Sequence, residues 1–414
     1  MALVVLARIW IVRLAFYAAR LLPQRRRVVL ATAHRDRIEG NLSAIRNEIA
    51  RRKPGVRVIA LAYHSRPGFG GALHGAVNAL LAAYHLATAR VFIVDDYFFP
   101  IYVVRPRPGS TIIQVWHACG AFKKFGHSIG DRSFGANRAL TERVRIHSNY
   151  HVCVASSRAT AECYSEAFGQ PLERFEWSLG IPRTDVFFGE AGVTDISRRI
   201  AQRYGIPRGS RVVLYAPTFR GERTYEARHP TDLDLYLMQQ VLGRDHVLLL
   251  RLHPFVRSRP VPEGGLSDFV IDVSDHPDVN ELMMASDILV TDYSSVIFEF
   301  ALLGRPIAFF APDHEAYERE RGFYFDYRAE GPGPVFQTTG ELAAYLRAGK
   351  FDTARLAQFR EKWFATADGH AAERFVDQLV LPALDGRGLA GARPGQSPPG
   401  SGHGKGADSF EPAP

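Results

Sequence analysis

The feature that most constrains this chain is the segment 278–313, DVNELMMASDILVTDYSSVIFEFALLGRPIAFFAPD. Its apolar pattern reads as helix, buried strand, turn, helix and second buried strand. Strands linked in this way lie parallel, because a parallel neighbour needs a crossover connection and both sheet faces are then covered. The turn is Thr291-Asp292-Tyr293-Ser294-Ser295, placed where the strand ends and the next helix begins. The first N–H groups of a helix lack internal partners and carry a partial positive charge, and two adjacent hydroxyls add donors. Such a turn predicts a phosphate site, of the kind that holds a nucleotide diphosphate.

The same alternation runs through most of the chain. Residues 28–33, 56–62, 91–94, 111–116 and 152–155 read as strands, with helical spacing over 41–52, 72–88 and 137–147. A second series places strands at 212–215, 246–252, 269–273, 288–291 and 307–310, with helices near 196–204, 232–242, 279–285 and 295–303. The pattern predicts an α/β protein of two Rossmann-like domains facing a cleft. The expected organisation is a helix over 1–24, a first Rossmann-like domain over 25–182, a second over 183–350 and closing helices over 351–384. The Gly/Pro/Ser-rich residues 385–414 read as a disordered tail, lacking apolar residues to offset ordering entropy.

Ligands of such sheets bind beyond the carboxyl ends of the strands, and the unusual polar residues fall there. His117 follows the strand over 111–116, and Thr218 and Arg220 follow 212–215. His253 follows 246–252, and Asp292, Ser294 and Ser295 follow 288–291. A histidine at a strand exit, followed by a glycine and by Lys123 and Lys124, suits a general base beside an anionic substrate. Pro254 holds His253 in extended backbone, and Arg220 suits a forked grip on phosphate. Asp95-Asp96 reads as a turn cap rather than a metal site, and no ligand set demands a metal or a cofactor. Cys119 reads as a packed residue, since no third group orients a Cys–His pair.

The net charge of +8 does not indicate nucleic-acid binding, because Arg8, Arg13, Arg20, Arg25, Arg26 and Arg27 supply six of those charges. Three cysteines without metal-ligand spacing fit a reduced, cytoplasmic compartment. Residues 1–22 are apolar but interrupted by arginines, so no uncharged run exceeds seven residues. A spanning helix needs roughly 20 mostly apolar residues. The expectation is a helix lying on the cytoplasmic face of the membrane, with Arg25–Arg27 on acidic head groups; the alternative is a core helix with packed arginine stems.

The segments QVWHACGAFKKFG, LGIPRTDVFF, LYAPTFRG, LRLHPF, TDYSSVIFEFALL, RGFYFDYRAEGPGPV and DGHAAERFVDQL, in this order and spacing, resemble the CDP-glycerol glycerophosphotransferase family, which primes or polymerises teichoic acids. The resemblance covers about 28–379. It implies a GT-B fold and transfer of glycerol phosphate, or a related alditol phosphate, from a CDP-alditol to a lipid-linked or polymeric acceptor, with release of CMP. Position by position, it implies His117 as base for the acceptor hydroxyl and His253 near the donor pyrophosphate. Thr291, Ser294 and Ser295 match the phosphate-binding element, and Thr218 and Arg220 the donor loop. Ala118-Cys119-Gly120-Ala121 departs from the Gly-Thr-Pro-Leu of many members. Two other readings share the fold: a glycosyltransferase using a nucleotide sugar, and a membrane assembly factor without activity.

Overall fold

Parallel strands buried on both faces can be apolar at every position, and the chain provides them in two sets. The computed structural model describes residues 2–33, 35–64, 68–129, 143–221, 228, 230, 232–253, 256 and 264–387. In the first sheet β1 (Arg25–Thr32), β2 (Arg57–Ala62), β3 (Ala89–Val94), β4 (Thr111–Gln114), β5 (Val152–Val154) and β6 (Phe175–Glu176) lie in the order β2-β1-β3-β4-β5-β6. The second holds β7 (Arg211–Tyr215), β8 (His246–Leu250), β9 (Val270–Asp272), β10 (Ile288–Thr291), β11 (Ile307–Phe310) and β12 (Val335–Phe336), ordered β12-β11-β10-β7-β8-β9. Every pairing is parallel. Strand order reverses between β1 and β3 and again between β7 and β10, which opens a crevice at the carboxyl ends at both points.

The expected strands are present within a few residues of their predicted bounds. The two-residue β6 and β12, which pair at the sheet edges, carry no periodic signal. Most of the helix expected over 137–147 lies outside the described residues, and 143–147 is not helical. Beyond 387 the expected tail is likewise outside them.

The helix α1 (Ala2–Ala19) is built into the first half rather than appended to it. Ile9, Val12, Phe16 and Ala19 recur at helical spacing and are all buried in the core. The arginines between them are accommodated along the sides. Arg8 lies 4.4 Å from the Phe99 ring centre, and Arg13 Nε donates to the Val103 carbonyl at 2.8 Å. Arg25–Arg27 do not reach outward together, as the sequence led one to expect, because they begin β1. Arg27 is 3% exposed, bonded to Thr88 and stacked on Tyr84, and Arg26 pairs with Asp385 at 2.8 Å. Among the described residues no helix is long and apolar enough to cross a membrane.

The halves are tied together at several points. The helices beyond the second sheet return to the first half, where Arg52 pairs with Asp377 at 2.7 Å and Arg90 Nη1 donates to the Leu384 carbonyl at 2.8 Å. Residues 122–124 also pair antiparallel with 322–324, through Lys124 N to Gly322 O at 3.1 Å and Tyr324 N to Phe122 O at 3.0 Å. The Phe122 ring stacks on Phe323, Phe325 and Tyr327, with ring centres 5.1, 5.3 and 5.7 Å away. That contact puts the loop after β4 against the second half.

Candidate active site

At the switch point of the second sheet, the exits of β7, β10 and β11 form one bonded cluster. Asp292, 1% exposed, accepts from the Thr218 backbone N–H at 2.7 Å and from its hydroxyl at 2.6 Å. Arg220 Nη1 donates to the other Asp292 oxygen at 2.8 Å, while Nε and Nη2 fork onto Asp313 at 2.7 and 3.1 Å. Tyr293 OH donates to Asp313 at 2.7 Å, and Tyr327 OH to the Asp292 carbonyl at 2.8 Å. Burial opposes the charge on Arg220, but the two carboxylates outweigh it and raise its pKa. Burial likewise disfavours ionised Asp313, yet the Arg220 fork and the Tyr293 hydroxyl hold its carboxyl below the usual range.

This geometry revises three expectations from sequence. Arg220 is already occupied by two carboxylates, so its guanidinium fork braces the loop rather than lying open for phosphate. Thr291 is fully buried and its hydroxyl donates to the Ala216 carbonyl at 2.6 Å, so that proton points into the sheet. Lys123 Nζ donates to Tyr317 OH at 2.9 Å and links the two halves instead of facing an acceptor. Lys124, half-buried, lies 5.9 Å from the Tyr324 ring centre.

Ser294 and Ser295 remain at the surface of the turn, half-buried and exposed. Ser295 immediately precedes the helix Val296–Leu302, and its side chain makes no capping bond. His253, half-buried beyond β8, rests against Phe219, with ring centres 4.8 Å apart. Phe219 stands between Thr218 and Arg220, so His253 joins the same cluster.

On the first half, His117 follows β4 with its side chain 46% exposed and Nδ1 3.7 Å from Asp96 Oδ2. Asp96 is held in turn, its Oδ1 accepting from the Tyr97 N–H at 2.6 Å. The histidine's loop is gripped by side chains from elsewhere. Asn41 Nδ2 donates to the Val115 and Trp116 carbonyls at 3.2 and 2.9 Å, and Tyr164 OH to those of Ala118 and Gly120 at 3.1 and 3.2 Å. These bonds stabilise Trp116 in the left-handed region, at φ 49°. Cys119 is fully buried, and that burial pushes its thiol well up, as expected of a packed residue.

Asp95 and Asp96 lie at the exit of β3, beside the first sheet's switch point. Sequence showed the pair but not its setting, and Asn41 and Tyr164 carried no signal at all. Burial, helped by the neighbouring Asp96 charge, pushes the Asp95 carboxyl up to about 6 against the pull of Thr32 and Arg35. Its Oδ1 has no partner among the described residues. An acid whose folded pKa exceeds its unfolded value near 3.9 destabilises the protein progressively as pH rises between the two, and fully above the higher. Asp95→Asn should therefore raise stability by about 3 kcal/mol at pH 7.5, at about 1.4 kcal/mol per pH unit of displacement, and by nothing at pH 4. Denaturant titration at both pH values checks this; no gain at pH 7.5 would refute the buried-charge account.

Two doubly wound parallel sheets packed against each other define a two-domain α/β protein of the GT-B-like kind. A solved wall teichoic acid polymerase, TagF, has this fold, with a TM-score of 0.72 at 23% identity over 90% of this chain and 93% of that one. The chain belongs to the CDP-glycerol:poly(glycerophosphate) glycerophosphotransferase family, whose model matches residues 14–381. A teichoic acid ribitol-phosphate primase of Bacillus spizizenii is 38% identical over 360 residues, 86% of this chain and 92% of that protein. A poly(ribitol-phosphate) polymerase of the same organism is 33% identical over 89% of this chain, which spans 58% of its length. A glycerol-phosphate primase of Bacillus subtilis is 29% identical over 73% of this chain and 77% of its own.

Proposed function

We propose that this protein transfers an alditol phosphate from a CDP-alditol to an acceptor hydroxyl, releasing CMP, in the synthesis of a teichoic acid or related envelope polymer. The observation that carries the reading is the contact of the His117 loop with the helix that follows Ser294-Ser295: a methyl on Gly120 would meet Phe298 Cε1 at 2.2 Å. Acceptor and donor residues thus share one cleft. His117 takes the acceptor proton, with Asp96 on its Nδ1 side. The acceptor oxygen attacks the phosphorus that bears the alditol, and the bridging P–O bond to CMP breaks. Ser294, Ser295 and the adjoining backbone N–H groups hold the pyrophosphate, and His253 offsets charge on departing CMP. Thr218, Arg220, Thr291 and Asp292 keep that turn in place, and Lys124 adds positive charge for an anionic acceptor.

The 38% identity to a ribitol-phosphate primase supports a ribitol-type donor. The test is a donor panel with acceptor lipid. CMP release from CDP-ribitol, or from CDP-glycerol, is the expected result. UDP release from a UDP-sugar would replace this reading with sugar transfer, and no turnover with any donor would leave an inactive assembly factor.

The protein works, on this reading, at the cytoplasmic face of the cell membrane. Among the described residues fourteen large hydrophobics are exposed, and eleven lie on α1, on the two leucines just after it, or on α3 (Gly68–Thr88). Trp10, Leu14 and Tyr17 also wall an open cavity of about 430 Å³ together with Arg13 and Arg105. An apolar face rimmed by cations suits an anionic bilayer. Deleting α1 would open the core, so the outer face is tested by substitution. Trp10→Glu with Leu14→Glu should abolish sedimentation with anionic vesicles at an unchanged melting temperature. Undiminished sedimentation would exclude this face.

A further inference from the structure

Arg183 stands where the chain passes from the first half to the second, and it reaches both. Its Nη1 donates to the His117 carbonyl and its Nη2 pairs with Glu299 Oε1. Its backbone N–H donates to Asn41 Oδ1 at 3.0 Å. The amide that grips the Val115 and Trp116 carbonyls therefore anchors Arg183 as well. Glu299 lies on the helix Val296–Leu302, directly after the Ser294-Ser295 turn, and its side chain is only 2% exposed. A carboxylate at that depth requires a cationic partner. Burial is the largest influence and works against the Arg183 charge, but Glu299 leads a group of neighbours that together outweigh it. Phe298, the neighbouring residue, is the one pressed against Gly120. Two successive residues of the donor-side helix thus bear on the backbone that carries the acceptor-side histidine.

We propose that Arg183 is a positioning residue, aimed by Glu299, that locks the His117 backbone to the helix behind the donor turn. The proposal rests on the reading of His117 as the base. The lock sets the distance between base and donor phosphorus, and a misplacement near 1 Å at a reacting centre costs about 100-fold in rate. An ion pair serving stability alone would need only a positive charge opposite Glu299. A lock needs the two-pronged guanidinium, because one prong holds Glu299 and the other the carbonyl.

Arg183→Lys separates these roles, since the ammonium keeps the charge and loses the fork. Melting temperature, calorimetric Kd for the donor that the wild type turns over, and kcat are measured on the full chain. The lock predicts a near-native melting temperature, a donor Kd within about two-fold, and a kcat lower by about 100-fold. Gly120→Ala, which pushes the loop off Phe298 without altering charge, should lower kcat likewise at a donor Kd within about two-fold, with a lower melting temperature from the overpacked contact. Should the lysine variant melt early, Arg183→Met with Glu299→Leu removes both charges and carries the same expectation for kcat. Wild-type kcat in a folded Arg183→Lys enzyme, or a loss only in proportion to donor affinity, would overturn the lock. A wild type without turnover would overturn the transfer reading itself, which the donor panel detects first.

Discussion

His117→Ala is expected to abolish transfer and to leave the donor bound. A positioned general base contributes about 100- to 10,000-fold, so kcat is expected to fall by at least about 100-fold. Donor affinity should persist, because Ser294, Ser295 and His253 belong to the second sheet and His117 to the first. The side chain is 46% exposed, so its removal should leave the melting temperature unchanged. Calorimetric titration with CDP-ribitol and CDP-glycerol, beside single-turnover rates, checks both halves of the statement. Loss of donor binding in this variant would move His117 out of the acceptor side.

Arg220→Ala is expected to act first on stability. The change strands Asp292, whose side chain is 1% exposed, and deprives Asp313 of its fork. Breaking a buried pair from one side costs about 3–5 kcal/mol, because the remaining charge is left uncompensated. The Thr218–Asp292 bonds and the Tyr293–Asp313 bond depend on the same two carboxylates, so the whole donor loop should loosen. Denaturant unfolding reads the loss directly. A variant with native stability but no donor affinity would restore Arg220 as a direct phosphate ligand.

The contrast between these residues shows what a sequence can convey. The strands were legible because parallel strands under two layers are apolar throughout, as in β8, where all five residues are buried. The strand exits were legible for the same reason: a polar residue after such a run has nowhere else to point. The doubly wound order follows from alternation and short connections, although edge strands of two residues leave no pattern. Pairing is another matter. Arg220 and Asp313 are 93 residues apart, Arg183 and Glu299 116, Lys123 and Tyr317 194. Nothing local records that a lysine after a histidine motif is tied to a tyrosine of the other half. Arg220 and Thr291 lie at strand exits beside Asp292, but each hydrogen-bonds inward, and only the folded chain reveals that direction.

The helix α1 shows the same limit in one element. Arginines through an apolar run excluded a spanning helix on sequence grounds, and two readings remained: a surface helix or a core helix. The residues at 9, 12, 16 and 19 fill the core, while Trp10, Leu14 and Tyr17 face outward. One sequence pattern serves both uses, because nearly the whole circumference is apolar and the arginines bend onto neighbouring carbonyls and rings.

The measurement that tests transfer of an alditol phosphate most directly follows the phosphorus. CDP-ribitol and CDP-glycerol, labelled at the phosphorus bearing the alditol, are incubated with the full chain and acceptor lipid, and products are separated. The account predicts label in the acceptor-linked product, with one unlabelled CMP released for each label transferred. Label retained in released CDP, with the alditol moved alone, would mean cleavage on the other side of that phosphate and would contradict it.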